Sequence, residues 1–342
     1  MSAESHADLL MATPFWIPEA DLGVRCLACS RECRISEGQT GFCRTRVNKE
    51  GRLQRPYEGF LSALADDPIE KKPLYHFFPG SRVLSIGGWG CNFTCPWCQN
   101  HPISQNLPRQ REQRSTSPKE LVNQALEEGF QCLAFTYNEP TVAIEFVLQT
   151  FCLAKSEGLR TVLVTNGSMG ARGARALAPY LDAVNVDLKG FNAEKLRQVV
   201  QGDLGAVLAS IETFRSEEIW TEVTTLVVPG FNDDAQELRQ TADWLAGIGR
   251  STVWHLTAFH PDYHYQKFGP TPVSTLEQAR EHGREAGLHF VYLGNVPGES
   301  SNTACPKCGF TLVERDEGRV RITENFHGLC PACQNRAAGR WA

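Results

Sequence analysis

The chain has 342 residues, enough for one large domain with small appendages or for two domains. Its formal net charge is −5, and its lysines and arginines are scattered without the basic stripe of a nucleic-acid binder. No apolar run approaches the roughly 20 residues that span a bilayer, and the first residues lack the basic and apolar regions of a signal peptide. We therefore expect a cytoplasmic protein without a membrane or nucleic-acid partner, acting on a small molecule or another protein.

The 13 cysteines are strongly clustered along the chain. Without an export signal, a reducing compartment favours thiolates and metals over disulfides. Eleven cysteines form three groups: Cys26, Cys29, Cys33 and Cys43; Cys91, Cys95 and Cys98; Cys305, Cys308, Cys330 and Cys333. The other two, Cys132 and Cys152, have apolar surroundings and are predicted to be inert core residues.

The first cysteine group lies in a metal-binding module that we expect to span residues 1–80. Four thiols within 18 residues either bind something or remain as unusually exposed free cysteines. Zinc is the first choice for Cys26, Cys29, Cys33 and Cys43. A second iron–sulfur cluster that feeds electrons inward is the alternative.

The second group has the spacing Cys-x-x-x-Cys-x-x-Cys, with no fourth cysteine close behind. An iron–sulfur cube needs one ligand for each iron, usually four thiolates. A three-thiol loop would leave one iron open, where a small molecule could chelate and react. Cys91, Cys95 and Cys98 therefore predict a catalytic cluster, and the alternatives are a zinc loop completed from elsewhere or three buried thiols.

Short β-branched runs alternate with helical patterns from residue 82 to about residue 294. This alternation predicts βα units around a parallel sheet. Seven candidate strands favour an incomplete (β/α) barrel over a complete eightfold one. Helix starts are predicted by two capping boxes, and helix ends by three glycines: Ser117 with Glu120, Ser274 with Glu277, and Gly129, Gly158 and Gly287.

Polar residues follow six of the predicted strands, at the carboxyl ends where parallel barrels carry their chemistry. Each could be a loop residue that only satisfies its own backbone, which is a common role of Asn and Asp. Six such positions around one rim favour a binding site. The candidates are Glu139, Asn166, Asp187, Lys189 and His260.

The third cysteine group consists of two Cys-Pro-x-Cys knuckles with a predicted hairpin between them. Four thiolates in a tetrahedron form a closed structural zinc site, and so short a segment needs a metal to fold. Residues 301–342 are therefore predicted to be a zinc ribbon, with rubredoxin-like iron as the alternative.

Several segments together carry a resemblance that runs almost end to end. They are Gly-Phe-Cys ending at Cys43, Cys-Asn-Phe-Thr-Cys-Pro-Trp-Cys-Gln-Asn from Cys91, Thr-Tyr-Asn-Glu-Pro-Thr from Thr136, Phe-His-Pro-Asp-Tyr from Phe259 and Gly-Asn-Val-Pro-Gly from Gly294. The chain resembles the AmmeMemoRadiSam system radical S-adenosylmethionine (SAM) enzymes, which are related to pyruvate formate-lyase activating enzymes. The resemblance implies an α/β fold, a partial (β/α)6-type radical SAM barrel over residues 81–300, flanked by the cysteine-rich module and the zinc ribbon.

The resemblance also implies an activity. Cys91, Cys95 and Cys98 would hold a [4Fe-4S] cluster that cleaves SAM to a 5′-deoxyadenosyl radical, which abstracts hydrogen from an unidentified small molecule or protein. An electron donor such as flavodoxin or ferredoxin is implied, and Memo-like or AMMECR-like proteins are possible partners. The alternatives are a glycyl radical enzyme activase and, less favoured, a non-enzymatic zinc-rich scaffold.

SAM-contacting residues follow from the same resemblance. Trp97 and Gln99 flank the third thiol, and Glu139 would accept a hydrogen bond from the SAM ammonium. The alternative role of Glu139 is to cap the following helix. Asp187 and Lys189 match an Asp-Leu-Lys motif that contacts ribose and carboxylate.

Two further positions complete the predicted SAM site. Asn166 would approach the ribose or the carboxylate of SAM, and His260 is expected to contact SAM after the sixth strand. His255 competes with His260 for this role. On a regular strand the two would point to opposite faces, so that only one faces the barrel interior.

Overall fold

The computed structural model describes residues 15–108, 114–299, 301–316 and 318–341. The described chain begins with two small antiparallel sheets. One contains β1 (Trp16–Pro18), β2 (Val24–Cys26) and β3 (Arg34–Ile35), and the other contains β4 (Val47–Lys49) and β5 (Arg52–Gln54). These strands carry or flank the first cysteine group.

An eight-stranded sheet forms the centre of the molecule. Its strands are β6 (Ala63–Pro68), β7 (Arg82–Gly87), β8 (Cys132–Phe135), β9 (Arg160–Thr165), β10 (Ala183–Asp187), β11 (Trp220–Val227), β12 (Val253–Ala258) and β13 (Phe290–Gly294). Strands β7 to β13 are parallel and follow chain order, and β6 is antiparallel to β7 at one edge. The predicted α/β fold with a mostly parallel sheet is confirmed. The predicted domain boundary at residue 80 lies between the paired strands β6 and β7.

Helices connect the parallel strands. The α-helices are His101–Ser104, Pro118–Glu127, Ile144–Ser156, Gly170–Leu177, Ala193–Lys195, Leu204–Ser216, Ala235–Ile248 and Val273–Glu285; a π-helix spans Leu196–Val200, and 3₁₀ turns span Ile69–Lys71, Pro140–Ala143 and Ala178–Tyr180. The capping box predicted at Ser117 is confirmed, because the Ser117 side chain accepts from the Glu120 N–H at 3.2 Å and Glu120 Oε2 accepts from the Ser117 N–H at 2.7 Å.

The capping box predicted at Ser274 is wrong. The last helix begins two residues earlier than predicted, at Val273, with Pro272 rather than Ser274 as its N-cap residue. The fixed φ of proline (−59° here) sets the entry of the chain, and Ser274 is already helical. The predicted helix ends are confirmed, since Gly129, Gly158 and Gly287 each have positive φ two residues after the last helical residue.

The two faces of the central sheet pack against different parts of the chain. One face packs with the helices in the main hydrophobic core. The other face, near the amino ends of the strands, is filled by the segment before β7, in which Ile69, Leu74 and Phe77 pack against Val83 and Ala183. The expected place for a functional site is therefore the opposite rim, at the carboxyl ends of the strands.

The C-terminal segment forms a third small sheet of β14 (Thr303–Ala304), β15 (Thr311–Asp316) and β16 (Arg319–Ile322). It joins the base of the barrel, because the Arg340 N–H donates to the His76 carbonyl and the Phe78 N–H donates to the Arg340 carbonyl, both at 2.7 Å. Trp341 closes the contact by packing on Phe326 and His76. No helix among these described segments is long and apolar enough to cross a membrane.

Candidate active site

The three-thiol loop leaves β7 through a tight glycine turn. The Gly88 N–H donates to Asn138 Oδ1 at 2.8 Å, and Asn138 Nδ2 donates to the Gly90 carbonyl at 2.9 Å. Gly90 has φ +78°, and a Cβ there would lie 2.9 Å from the Cys43 carbonyl oxygen. Asn138 therefore holds the loop from the end of β8, and only glycine fits before Cys91.

Apolar packing fixes the far end of this loop. Trp97 is 4% exposed and packs against Phe231 at 4.7 Å and Tyr265 at 5.3 Å between ring centroids. Trp97 thus anchors the loop to the rim after β11 and β12, while Gln99 is exposed. Their predicted contacts with SAM stay predictions.

Cys95 is buried, and Cys91 and Cys98 are partly buried. Burial raises the pKa of Cys91 well above its usual value and that of Cys95 to about 12. These two are neutral thiols near pH 7 without a metal, so cluster binding must displace their protons.

A cation stands beside these thiols. Lys189 Nζ donates to Asp187 Oδ2 at 3.1 Å, just after β10. Burial opposes the charge of Lys189, but attraction to the Asp187 carboxylate raises its pKa. The side chain stays cationic next to the thiols, as a site for a carboxylate requires.

Glu139 is 2% exposed and is held by four donors. Its Oε1 accepts from the Thr141 N–H at 3.0 Å, from the Thr141 hydroxyl and from the Thr165 hydroxyl at 2.7 Å, while Oε2 accepts from the Asn166 N–H at 2.7 Å. The carboxylate thus caps the 3₁₀ turn Pro140–Ala143, the alternative role, and ties β8 to β9. Oε2 keeps capacity for one more donor, so the predicted SAM ammonium contact stays a prediction.

Asn166 braces the first thiol. Its Nδ2 donates to Asn92 Oδ1 at 2.9 Å and lies 3.9 Å from Cys91 Sγ, while its Oδ1 accepts from the Ser168 N–H at 3.0 Å. Asn92 also donates to the Ser168 hydroxyl at 2.6 Å. The sequence prediction missed Asn92 and Asn138. Both stand inside the motifs quoted above, and their polarity beside a cysteine or glycine was the available signal.

The two candidate histidines lie in different places. His255 is buried on β12, and its Nε2 pairs with Glu222 at 2.6 Å. Glu222 also accepts from the Tyr75 and His76 N–H groups at 3.0 and 2.8 Å. His255 is thus a satisfied interior residue. His260 lies beyond the end of β12 and is exposed, so the regular-strand argument does not reach it.

The C-terminal cysteines converge as predicted. The sulfur–sulfur distances are 3.6 Å for Cys305–Cys333 and 3.6 Å for Cys308–Cys330, and all four sulfurs lie within 4.8 Å of one another. A tetrahedral zinc–thiolate site has sulfurs about 3.8 Å apart. These four residues can therefore hold one metal ion, whose identity as zinc is a prediction.

The other two cysteine groups are arranged differently. Among the described residues, only the C-terminal set brings three or more possible ligand atoms within 4.8 Å of one another. A cubane cluster holds its thiolates on a wider tetrahedron than one ion, because iron and sulfide lie between them. Cys91, Cys95 and Cys98 do not form so close a group, and their assignment to such a cluster stays a prediction. Cys132 and Cys152 are buried, as predicted.

A mostly parallel α/β sheet with a three-thiol loop after its first parallel strand defines the radical SAM class. The radical SAM superfamily matches residues 86–245. The uncharacterized protein MJ0808 of Methanocaldococcus jannaschii is 43% identical over 297 residues, covering 86% of this chain and 88% of that protein. The chain belongs to the radical SAM superfamily.

Other relatives share part of the chain. GTP 3′,8-cyclase of Rhodopseudomonas palustris is 29% identical over 167 residues, 46% of this chain and 47% of that protein. The (2S)-3-sulfopropanediol dehydratase activating enzyme of Klebsiella oxytoca is 25% identical over 107 residues, 31% of this chain and 34% of that protein. The chain thus spans about half or less of each.

Two solved structures that match this chain are 15% identical to it. A domain of a pyruvate-formate lyase-activating enzyme from Bacteroides vulgatus has a TM-score of 0.42 and covers 47% of this chain and 98% of that chain. A radical SAM methyltransferase from Sphaerobacter thermophilus has a TM-score of 0.49 and covers 86% of this chain and 81% of that chain. The superfamily implies an enzyme with a [4Fe-4S] cluster and SAM that acts on a substrate and uses a reductant.

Proposed function

We propose that the chain is a radical SAM enzyme in which Cys91, Cys95 and Cys98 hold a [4Fe-4S] cluster with one iron left for SAM. When bound, the cluster and SAM supply a 5′-deoxyadenosyl radical that abstracts hydrogen from the substrate. The observation that carries the proposal is the position of Lys189, which is paired with Asp187 at 3.1 Å and interacts electrostatically with Cys95 and Cys98. A cation there suits the carboxylate of SAM.

The remaining rim residues have distinct tasks in this proposal. Asp187, 34% exposed at its side chain, can accept from the ribose hydroxyls. Glu139 offers its one free acceptor position to the ammonium, and Asn166 keeps the Cys91 loop fixed through Asn92. Trp97, buried between the loop and the rim, helps to exclude water. His260, exposed on the rim loop, is the proposed additional SAM contact.

The test is the production of 5′-deoxyadenosine under anaerobic conditions. Reconstituted protein with dithionite and SAM is expected to form it, and Cys95→Ala is expected to reduce the yield at least a hundredfold. Cys152→Ala is the matched control, because Cys152 is a buried residue of the helix Ile144–Ser156 that belongs to none of the three cysteine groups, and it should leave the yield within twofold. Equal yields from the wild type and Cys95→Ala would remove the cluster assignment.

A glycyl radical enzyme activase is the second candidate function. Similarity to the (2S)-3-sulfopropanediol dehydratase activating enzyme favours it. Incubation of the reduced protein with SAM and a candidate glycyl radical enzyme should then give a glycyl doublet by electron paramagnetic resonance. No doublet with any plausible client, alongside normal 5′-deoxyadenosine production, would leave hydrogen abstraction from another substrate.

The proposed partners are those that a radical SAM enzyme of this kind would need. A small molecule or a protein serves as substrate, a flavodoxin or ferredoxin supplies the electron, and Memo-like or AMMECR-like proteins are candidate clients. The cytoplasm is the proposed location, since its reducing conditions suit an iron–sulfur cluster. Zinc in the C-terminal ribbon is proposed as a structural ion.

A further inference from the structure

The N-terminal cysteines lie next to the catalytic loop. Arg31 Nε donates to the Asn92 carbonyl at 2.9 Å, and the Ser30 N–H donates to the Ser168 carbonyl at 2.8 Å. On the other side of Cys91, the Cys43 carbonyl meets Gly90 so closely that a Cβ could not fit. The module therefore contacts the residues immediately before and after Cys91.

The four N-terminal thiols face a common region. Cys29 interacts electrostatically with both Cys33 and Cys43, and Cys26 interacts with both Cys29 and Cys43. Cys26 and Cys43 are only 5% and 8% exposed, and Cys29 and Cys33 are half-buried. Interacting thiols clustered in this way are typical of a metal site.

The spacing of these thiols distinguishes between the two possible occupants, a single zinc ion and an iron–sulfur cluster. The C-terminal set, with sulfurs 3.6 Å apart in two pairs, has the dimensions of a single ion. The N-terminal thiols are described throughout, yet no three of them lie within 4.8 Å of one another. In this they match Cys91, Cys95 and Cys98, the set assigned to an iron–sulfur cluster. Inorganic sulfide between the metal atoms would account for thiols that are farther apart, because a lone zinc ion holds its thiolates about 3.8 Å from one another.

The charges around the site also suit an anionic cluster. Arg46 is buried, with its side chain 2% exposed, and interacts electrostatically with Cys26 and Cys43. Iron–sulfur centres with four thiolates carry net negative charge, and a fixed guanidinium nearby stabilises that charge without competing for the metal. Arg46 is itself held by Glu145.

We propose that Cys26, Cys29, Cys33 and Cys43 bind a second iron–sulfur cluster, adjacent to the catalytic one. The site does not depend on SAM cleavage, so it stands or falls separately from the proposed function. Of the two occupants open for this module from the sequence, the geometry points to iron and sulfide rather than zinc.

The experiment measures acid-labile sulfide, iron and zinc after anaerobic reconstitution of the full chain. A Cys91→Ala, Cys95→Ala, Cys98→Ala variant lacks the catalytic thiols. It should retain roughly two sulfides per chain for a two-iron cluster or roughly four for a four-iron cluster. Adding Cys29→Ala and Cys33→Ala should remove this sulfide, while adding Cys152→Ala should not. A triple variant without sulfide that binds about two zinc ions per chain would overturn the proposal.

Wild-type protein gives a measurement that does not rely on folded variants. A second cluster predicts sulfide in excess of the roughly four expected from one cubane. In the fully reduced protein, electron paramagnetic resonance should show the two neighbouring clusters broadened by spin–spin interaction. Sulfide of about four with a single unbroadened signal would contradict the second cluster while leaving the catalytic one intact.

Discussion

One buried ion pair links the N-terminal module to the barrel. Arg46 Nη1 donates to Glu145 Oε1 at 3.0 Å, a second bond joins Nη2 to Oε2, and Nε donates to the Val142 carbonyl at 3.0 Å. The side chains of Arg46 and Glu145 are 2% and 13% exposed. Glu145→Ala leaves the guanidinium buried without its carboxylate.

The expected cost can be worked from this geometry. Removing one partner of a buried pair destabilises a protein by about 3–5 kcal/mol. With an unfolding entropy of about 2.1 cal/mol/K per residue, a chain of 342 residues loses roughly 1.4 °C of melting temperature per kcal/mol. Glu145→Ala should therefore lower the melting temperature by about 4–7 °C, measured by circular dichroism on metal-loaded protein.

Two variants control this prediction. Glu145→Gln keeps the shape and one acceptor, so its loss should be smaller. The double variant Arg46→Met, Glu145→Leu removes both charges and should recover much of the stability, because an apolar pair of similar volume is often as stable as a buried ion pair. A change below about 1 °C for Glu145→Ala, or a double variant less stable than the single one, would refute the reasoning.

Three further outcomes are expected. Burial lowers the pKa of His76 to about 4, so on acidification the unfolded chain, in which a histidine has a pKa of about 6.5, takes up the proton first. The free energy of unfolding should therefore fall between pH 6.5 and 4 by at most roughly 3 kcal/mol. His76→Gln should flatten this slope in urea titrations, and an unchanged slope would contradict the assignment to His76. Cys308→Ser should lower bound zinc by about one per chain, and unchanged zinc would exclude the ribbon site. Lys189→Met should weaken SAM binding about tenfold in equilibrium dialysis, whereas Lys195→Met, at a lysine paired with Glu237, should not; equal losses would contradict the role of Lys189.

Local patterns were enough to predict much of the fold. The alternation of β-branched runs and helices predicted the parallel sheet, and the Ser117 capping box was correct because both of its hydrogen bonds form within four residues. The box at Ser274 failed because Pro272 fixes the backbone before the serine can act. Sequence spacing alone carried no information about β6, which joins the sheet as an antiparallel edge strand.

The candidate site shows the same division. Cysteine spacing predicted the C-terminal set, whose four sulfurs lie close together, and the other two groupings stay predictions. The hydrogen bonds within and around the site join residues that are far apart in the sequence. Asn166 bonds to Asn92, 74 residues away, and His255 bonds to Glu222, 33 residues away. Glu139 was assigned to a ligand by resemblance, and its four protein donors could be seen only once β8 and β9 were side by side. Pairings that depend on neighbouring strands cannot be read from a single segment.

The central claim is that one iron of the Cys91, Cys95 and Cys98 cluster is left for SAM. Electron–nuclear double resonance on the reduced protein with SAM carrying ¹⁵N in its amino group tests this most directly. The account predicts a ¹⁵N hyperfine coupling that is absent in Cys95→Ala and retained in Cys152→Ala. A reduced cluster in the wild type that shows no ¹⁵N coupling at saturating SAM would contradict it.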